Sequence, residues 1–196
     1  DVIIMDLDNL KKELTSNEVS IVVNKYILGG NPICFGGREI LILQLKKDLT
    51  KHFNIHIKNI EIVGSAKLGI SLGNDKLGKQ FDTHSDIDIA VVSSELFDIA
   101  WFELMKLESI TYKLTEKDRN FLKDCLDLIG KGFISPDKLP KISNFSRNWW
   151  KIFSELSNKD EYENKKIRGR LFKDWWFAER YYSTQLNRLK SEIGGE

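Results

Sequence analysis

Two aspartates in alternation, Asp86 and Asp88, sit in an apolar run that continues through Ile87, Ile89, Ala90, Val91 and Val92. A strand sends every second side chain to the same side. This spacing therefore places both carboxylates on one face, with Ile87 and Ile89 on the other. Two carboxylates about 5 Å apart repel by roughly 3 kcal/mol at an effective dielectric near 20. A fold retains such a pair where a cation sits between them, and hard oxygen donors suit Mg²⁺. Upstream, an earlier apolar run (Ile60, Ile62, Val63) stops at Gly64-Ser65. Glycine at a sharp strand-to-helix turn lets a ligand approach the backbone. Ser65 adds a hydroxyl, and the amides of a following helix favour an anion. A triphosphate at that bend, with metal ions bridging it to Asp86 and Asp88, has the layout of phosphoryl or nucleotidyl transfer, in which the protein supplies position and charge.

The order strand, Gly-Ser, short helix, loop, Asp-h-Asp-h strand (h, apolar) resembles the signature of the DNA polymerase β-like nucleotidyltransferase superfamily. It is carried here by Val63-Gly64-Ser65 and by Asp86-Ile87-Asp88-Ile89, preceded by Ser85, and the resemblance covers residues 58–107. It implies a mixed sheet with flanking helices, dependence on Mg²⁺ or Mn²⁺, and transfer of a nucleoside monophosphate from an NTP to a hydroxyl. Asp86 and Asp88 would be the catalytic metal ligands; Gly64 and Ser65 would hold the triphosphate. The implied acceptors are an RNA or tRNA end, a protein side chain, a second nucleotide or a small molecule. The phrases GSAKLGISL and SDIDIAVVSSELFD look like a bacterial branch of stand-alone nucleotidyltransferase-domain proteins, some linked with toxin–antitoxin or phage-defence loci. The alternative is accordingly a catalytically inactive scaffold of the same fold that binds nucleotide or a partner protein, such as a cognate toxin or effector.

Two departures from the superfamily pattern stand out. Residues 66–85 separate Ser65 from Asp86, a longer gap than is usual, and LGNDKLGKQFDTH is expected to form a flap beside the site. Many active members take a third carboxylate from a later strand, yet no acid-bearing strand is legible after residue 107. Asp137, after Pro136, is the nearest candidate; Asp124 and Asp127 belong to a helical pattern. Lys67 is assigned to the nucleotide and Lys79 is a second lysine a phosphate could meet, against the plainer reading of solvated side chains. His84 and Asp82 read as loop and turn residues.

The elements that must position these groups are read from periodicity. Residues 1–28 are helical in pattern, with Asn17 as an N-cap and Gly29-Gly30 as the stop. Asn31–Gly37 is a loop, and residues 38–53 place Leu41, Leu45 and Leu49 at helical spacing. Strands are expected over 58–63 and 86–92. Helices follow over 94–107 (Leu96, Phe97, Ala100, Trp101 and Leu104 inward), 115–129, 144–156 and 165–190, with 130–141 as a connector or a short strand with a turn. In the last helix Ile167, Leu171, Trp175, Tyr182, Leu186 and Leu189 would form the buried stripe, with Arg168 and Arg170 before it. The expected class is α+β: a small mixed sheet in a nucleotidyltransferase core over residues 1–110, and a helical region over 111–196 packed on it.

Composition sets the outer bounds. The 196 residues include 41% hydrophobics, enough for a core and against general disorder. Thirty lysines and arginines against 29 acids leave a formal charge of +1, which argues against a dedicated duplex-DNA binder. The two cysteines, Cys34 and Cys125, offer neither a disulfide framework nor a zinc spacing. No apolar run approaches a membrane span and no secretory signal is visible, so a cytoplasmic protein is expected.

Overall fold

The computed structural model describes residues 5–193 and is an α+β fold. Residues 1–4, part of the expected N-terminal helical segment, lie outside the described residues. In chain order, α1 (Leu7–Ser16) and α2 (Val19–Val22) lead through a π turn into α3 (Glu39–Phe53). Asn17 closes α1 rather than opening α2. Then come β1 (Ile60–Val63), the one-turn α4 (Ser65–Leu68) and β2 (Ile87–Val92). Two helices follow, α5 (Ser94–Glu108) and α6 (Glu116–Ile129), capped by the side chains of Ser93 and Thr115. The chain ends with β3 (Phe133–Ile134), α7 (Asn144–Ser157), β4 (Ile167–Phe172) and α8 (Trp175–Ile193).

One four-stranded sheet, ordered β1-β2-β4-β3, organises these elements. β1 runs antiparallel to β2, β2 parallel to β4, and β3 antiparallel to β4. The inward residues Ile60, Ile62, Ile87, Ile89, Val91, Ile167 and Leu171 form one core with α3, α5 and α7. On the opposite face Val63, Ala90, Val92 and Phe172 pack against α1 and α8. That second layer covers only part of its face; the end carrying Asp88, Arg168 and Arg170 stays open as a cleft.

The largest correction to the periodicity reading concerns residues 165–174. The continuous helix expected there is a strand, β4, followed by a helix that starts at Trp175. Ile167, Gly169 and Leu171 are buried while Arg168 and Arg170 face the other way, which is a two-residue period. Asp174 then accepts the amide N–H of Phe177 at 3.2 Å, as a helix cap does. Because β4 lies between β2 and β3, the sheet takes strands from both sides of residue 110. The expected division into a sheet-bearing core and a purely helical remainder does not hold. Trp101 and Trp175, expected inward, are 39% and 36% exposed.

Gly169 marks how closely α7 approaches β4. A Cβ there would lie 2.2 Å from Phe153 Cζ and 2.6 Å from Trp149 Cζ2, inside an aromatic cluster that also holds Phe53. Close-packed rings cannot yield that much. Gly169→Ala is therefore expected to lower stability by about 1–3 kcal/mol, read as a reduced urea midpoint with an unchanged m-value.

Candidate functional site

Asp88 lies opposite Val63 across the β1–β2 ladder, which brings its carboxylate against the bend that follows β1. Gly64 adopts φ 66°, ψ −147°, a conformation open essentially to glycine alone. A Cβ at Gly64 would stand 3.2 Å from Asp88 Oδ2. The glycine is thus required twice, by its backbone angles and by the carboxylate beside it.

Asp86 and Asp88 share one face, as their spacing predicts, and both meet arginines. β2 and β4 pair in register with Asp88 opposite Arg168 and Ala90 opposite Arg170. Arg168 Nη2 lies 3.0 Å from Asp86 Oδ2. Among the described residues Arg170 makes no ion pair; its guanidinium stacks on Tyr181 with Cζ 4.5 Å from the ring centre, and its buried Nε finds no hydrogen-bond partner there. The cleft between these groups has a volume of about 350 Å³ and is lined by Gly64, Ser65, Asp88, Asp137, Lys138 and both arginines, with Tyr181, Tyr182 and Gln185 of α8 closing one side. The start of the 66–85 insertion (Ser71, Leu72, Gly73) forms part of the rim, and a bridge between Ile70 and Gln80 shapes it into a hairpin-like flap.

The electrostatics follow from this layout. Asp88 keeps an exposed surface toward the cleft, yet the protein mass around the cleft floor outweighs that opening. Desolvation raises its pKa above the usual carboxylate range; Arg170 and Arg168 work against the rise, and Asp86 and Asp137 add to it.

Of the five residues expected at the site, Gly64, Ser65 and Asp88 line the cleft, and Asp86 pairs with Arg168, which lines it too. Lys67 is a correction. Its ammonium is buried away from the cleft, donating to Glu61 Oε1 at 2.8 Å and to the Gly30 carbonyl at 2.6 Å. Glu61 also meets Lys46 at 2.7 Å. The half-buried Glu61 needs counter-cations, and satisfying it turns Lys67 from any phosphate. Burial pulls the Lys67 pKa down, with Glu61 opposing. Lys79 lies 3.5 Å from Asp82 on the surface. Asp82 accepts from the His84 amide and the Ser85 hydroxyl, both at 2.9 Å, so it is a turn residue. In the 31–37 loop, Cys34 and Phe35 are buried in the core.

Asp137 does reach the cleft, on the turn after β3 rather than on a strand. Among the described residues no group of three or more His, Cys, Asp or Glu side chains is placed to hold a metal ion. The donor set is the Asp86–Asp88 pair, and this still fits Mg²⁺, which takes one or two carboxylates and completes its shell with phosphates and water. The residues sequence reasoning missed are Arg168 and Arg170; the alternation Ile-Arg-Gly-Arg-Leu was their signal.

Comparison of the chain with protein-family models, curated proteins and solved structures finds no match.

Two outcomes test this geometry. Gly64→Ala is expected to displace Asp88 and lose stability by about 1–3 kcal/mol, measured by denaturant unfolding. For Asp88 the linkage sign is set by its raised folded pKa: the folded state binds the proton more tightly, so stability falls as pH rises from the unfolded value, about 3.9, through the folded one. Asp88→Asn should therefore raise the melting temperature at pH 7 by a few degrees, about 2–4 °C per kcal/mol at this size. The gain should vanish near pH 3.

Proposed function

We propose that the protein is a nucleotidyltransferase that moves a nucleoside monophosphate from an NTP to a hydroxyl acceptor, with Mg²⁺ or Mn²⁺ held by Asp86 and Asp88. The observation that carries this reading is the pair of acids on one face of β2, with the Asp88 carboxylate packed against the Gly64 bend. The bound metal supplies neutralisation of triphosphate charge and activation of the attacking hydroxyl. The chain's own residues bind and orient. Gly64 has no side chain to obstruct a phosphate, and Ser65 offers a hydroxyl beside it. Arg170, without a carboxylate partner, and Lys138 offer positive charge to the phosphate oxygens, and Arg168 can exchange its Asp86 contact for a phosphate of the same charge. In the transfer, the hydroxyl oxygen bonds to the α-phosphorus, the bond from that phosphorus to the pyrophosphate oxygen breaks, and the hydroxyl proton leaves to solvent.

A second reading has its own support. Arg168 stands beside the acids on the neighbouring strand, where a third carboxylate would complete a metal site, and it already bridges Asp86. A scaffold that binds nucleotide or a protein partner, such as a cognate toxin or effector, without turnover would tolerate that exchange of charge.

Incubation with each labelled NTP, Mg²⁺ or Mn²⁺, cellular RNA and protein extract separates the two. Label transfer is expected from the wild type and is expected to disappear when Asp86→Ala and Asp88→Ala are combined. Equal labelling by both proteins would remove the acids from the mechanism; nucleotide binding without any transfer would favour the scaffold. Arg168→Ala is expected to raise the KM for NTP by about tenfold or more, the loss of one charge-assisted hydrogen bond.

A further inference from the structure

A second cavity, of about 310 Å³, opens on the other side of β4 and shares Asp137, Arg168 and Gly169 with the cleft. Its walls are mostly apolar, formed by Trp149, Trp150 and Phe153 of α7. Trp149 is only 2% exposed, and its indole Nε1–H is buried without a hydrogen-bond acceptor. Its faces are occupied by Phe53, Phe145 and Phe153. The edge bearing the N–H is the one beside Gly169, since Cζ2 on that edge lies 2.6 Å from where a Cβ of Gly169 would be. An unpaired buried donor of this kind is costly and uncommon without a purpose.

The outer edge of β4 adds a further donor. The Ile87 amide donates to the Lys166 carbonyl at 2.8 Å, so the even-numbered peptide groups of β4 point to β2. Ile167 points outward, its N–H donating to Ser157 Oγ at 2.9 Å. Gly169, two residues on, faces the same outward side. β3 pairs only with Leu171 and Phe172, so no strand lies opposite Gly169. Two N–H donors, aromatic walls, the half-exposed ring of Trp150 and the Lys166 cation thus surround one space that meets the cleft at Asp137, Arg168 and Gly169.

We propose that this cavity binds a nucleobase, with the Trp149 indole and the Gly169 amide donating to acceptor atoms on the base edge and Trp150 covering its face. A base is planar, carries in-plane acceptors, and stacks on aromatic rings whatever its identity. The proposal deepens the nucleotidyl-transfer reading, on which the meaning of its position next to the cleft rests. The base belongs either to the NTP or to the terminal nucleotide of an acceptor strand.

Binding of the four unphosphorylated nucleosides, the four NTPs and a short single-stranded oligonucleotide, followed by ligand-observed NMR and calorimetry on the full chain, tests it. At least one nucleoside is expected to bind the wild type. Ser154→Phe, which fills the cavity from α7, and Trp149→Phe, which removes the N–H, are each expected to weaken that binding at least about fivefold. Near-UV circular dichroism checks that both variants are folded. The combined Asp86→Ala and Asp88→Ala protein is expected to bind nucleosides as the wild type does, so the base site and the transfer chemistry fail or stand separately. Loss of NTP affinity in Ser154→Phe assigns the base to the triphosphate; loss confined to the oligonucleotide assigns it to the acceptor. No nucleoside binding, binding unaffected by Ser154→Phe, or binding of free indole in place of every nucleoside would overturn the proposal.

Discussion

The parallel pairing of β2 with β4 is the constraint on which the site depends. Asp86 and Asp88 are held at the open end of one sheet face by backbone geometry, and their mutual repulsion has to be met there. The register supplies the answer: Asp88 faces Arg168 and Ala90 faces Arg170, so two guanidiniums stand beside two carboxylates. The same pairing depends on Gly169, because only a residue without a side chain lets α7 close over that part of β4. The two arginines and the glycine between them are therefore a single device. The even positions meet the acids and the odd one admits the aromatic core.

A similar logic of charge accounts for Lys67. Glu61 sits on the same face of β1 as Val63 and is largely enclosed, between Lys46 and Lys67. Removing one partner of such a group leaves a charge without compensation, which costs more than the pair contributes. The ammonium of Lys67 also binds the Gly30 carbonyl, fastening the 29–37 loop to the turn beneath the cleft. The lysine nearest the Gly-Ser bend in sequence thus supports the bend from behind and has no free charge for a ligand.

How far the sequence could be read depended on the range of the forces involved. β1, the bend and β2 were legible because their cues are local: an apolar run, a glycine that must turn, alternating acids. Helices α3, α5, α6 and α7 were legible from their apolar spacing and, for α5 and α6, from capping hydroxyls. β4 was not, because Ile167 and Leu171 also satisfy a four-residue helical spacing and the aromatic run after them extends it. What decides the issue is tertiary. Gly169 is unfavourable inside a helix and indispensable under Phe153 and Trp149, and Arg168 finds Asp86 only once the sheet has formed. Asp137 is legible as an acid near a turn, but its arrival in the cleft depends on β3 pairing with β4. No local pattern contains that pairing.

Under the proposed transfer, the balance of charge around the cleft dictates how metal and nucleotide would arrive. Asp88 and Asp137 line the cleft with Arg168, Arg170 and Lys138, and Asp86 pairs with Arg168, three formal negative charges against three positive. A divalent cation approaching alone gains from the acids but meets three cations close by, and a free triphosphate meets the converse. In an interior of reduced dielectric these opposing terms are each worth several kcal/mol and largely cancel. A metal and a triphosphate arriving together are different, because each takes the partner that the other's counter-charge releases: the cation goes to the acids and the phosphate oxygens go to the arginines. In the proposed reaction Arg168 is where the exchange would be felt, since it would leave Asp86 for either ligand to seat fully. A site with a third carboxylate on β4 would attract the cation by itself. Under the proposed function, arginines at that place would instead make occupancy by metal and by nucleotide mutually dependent.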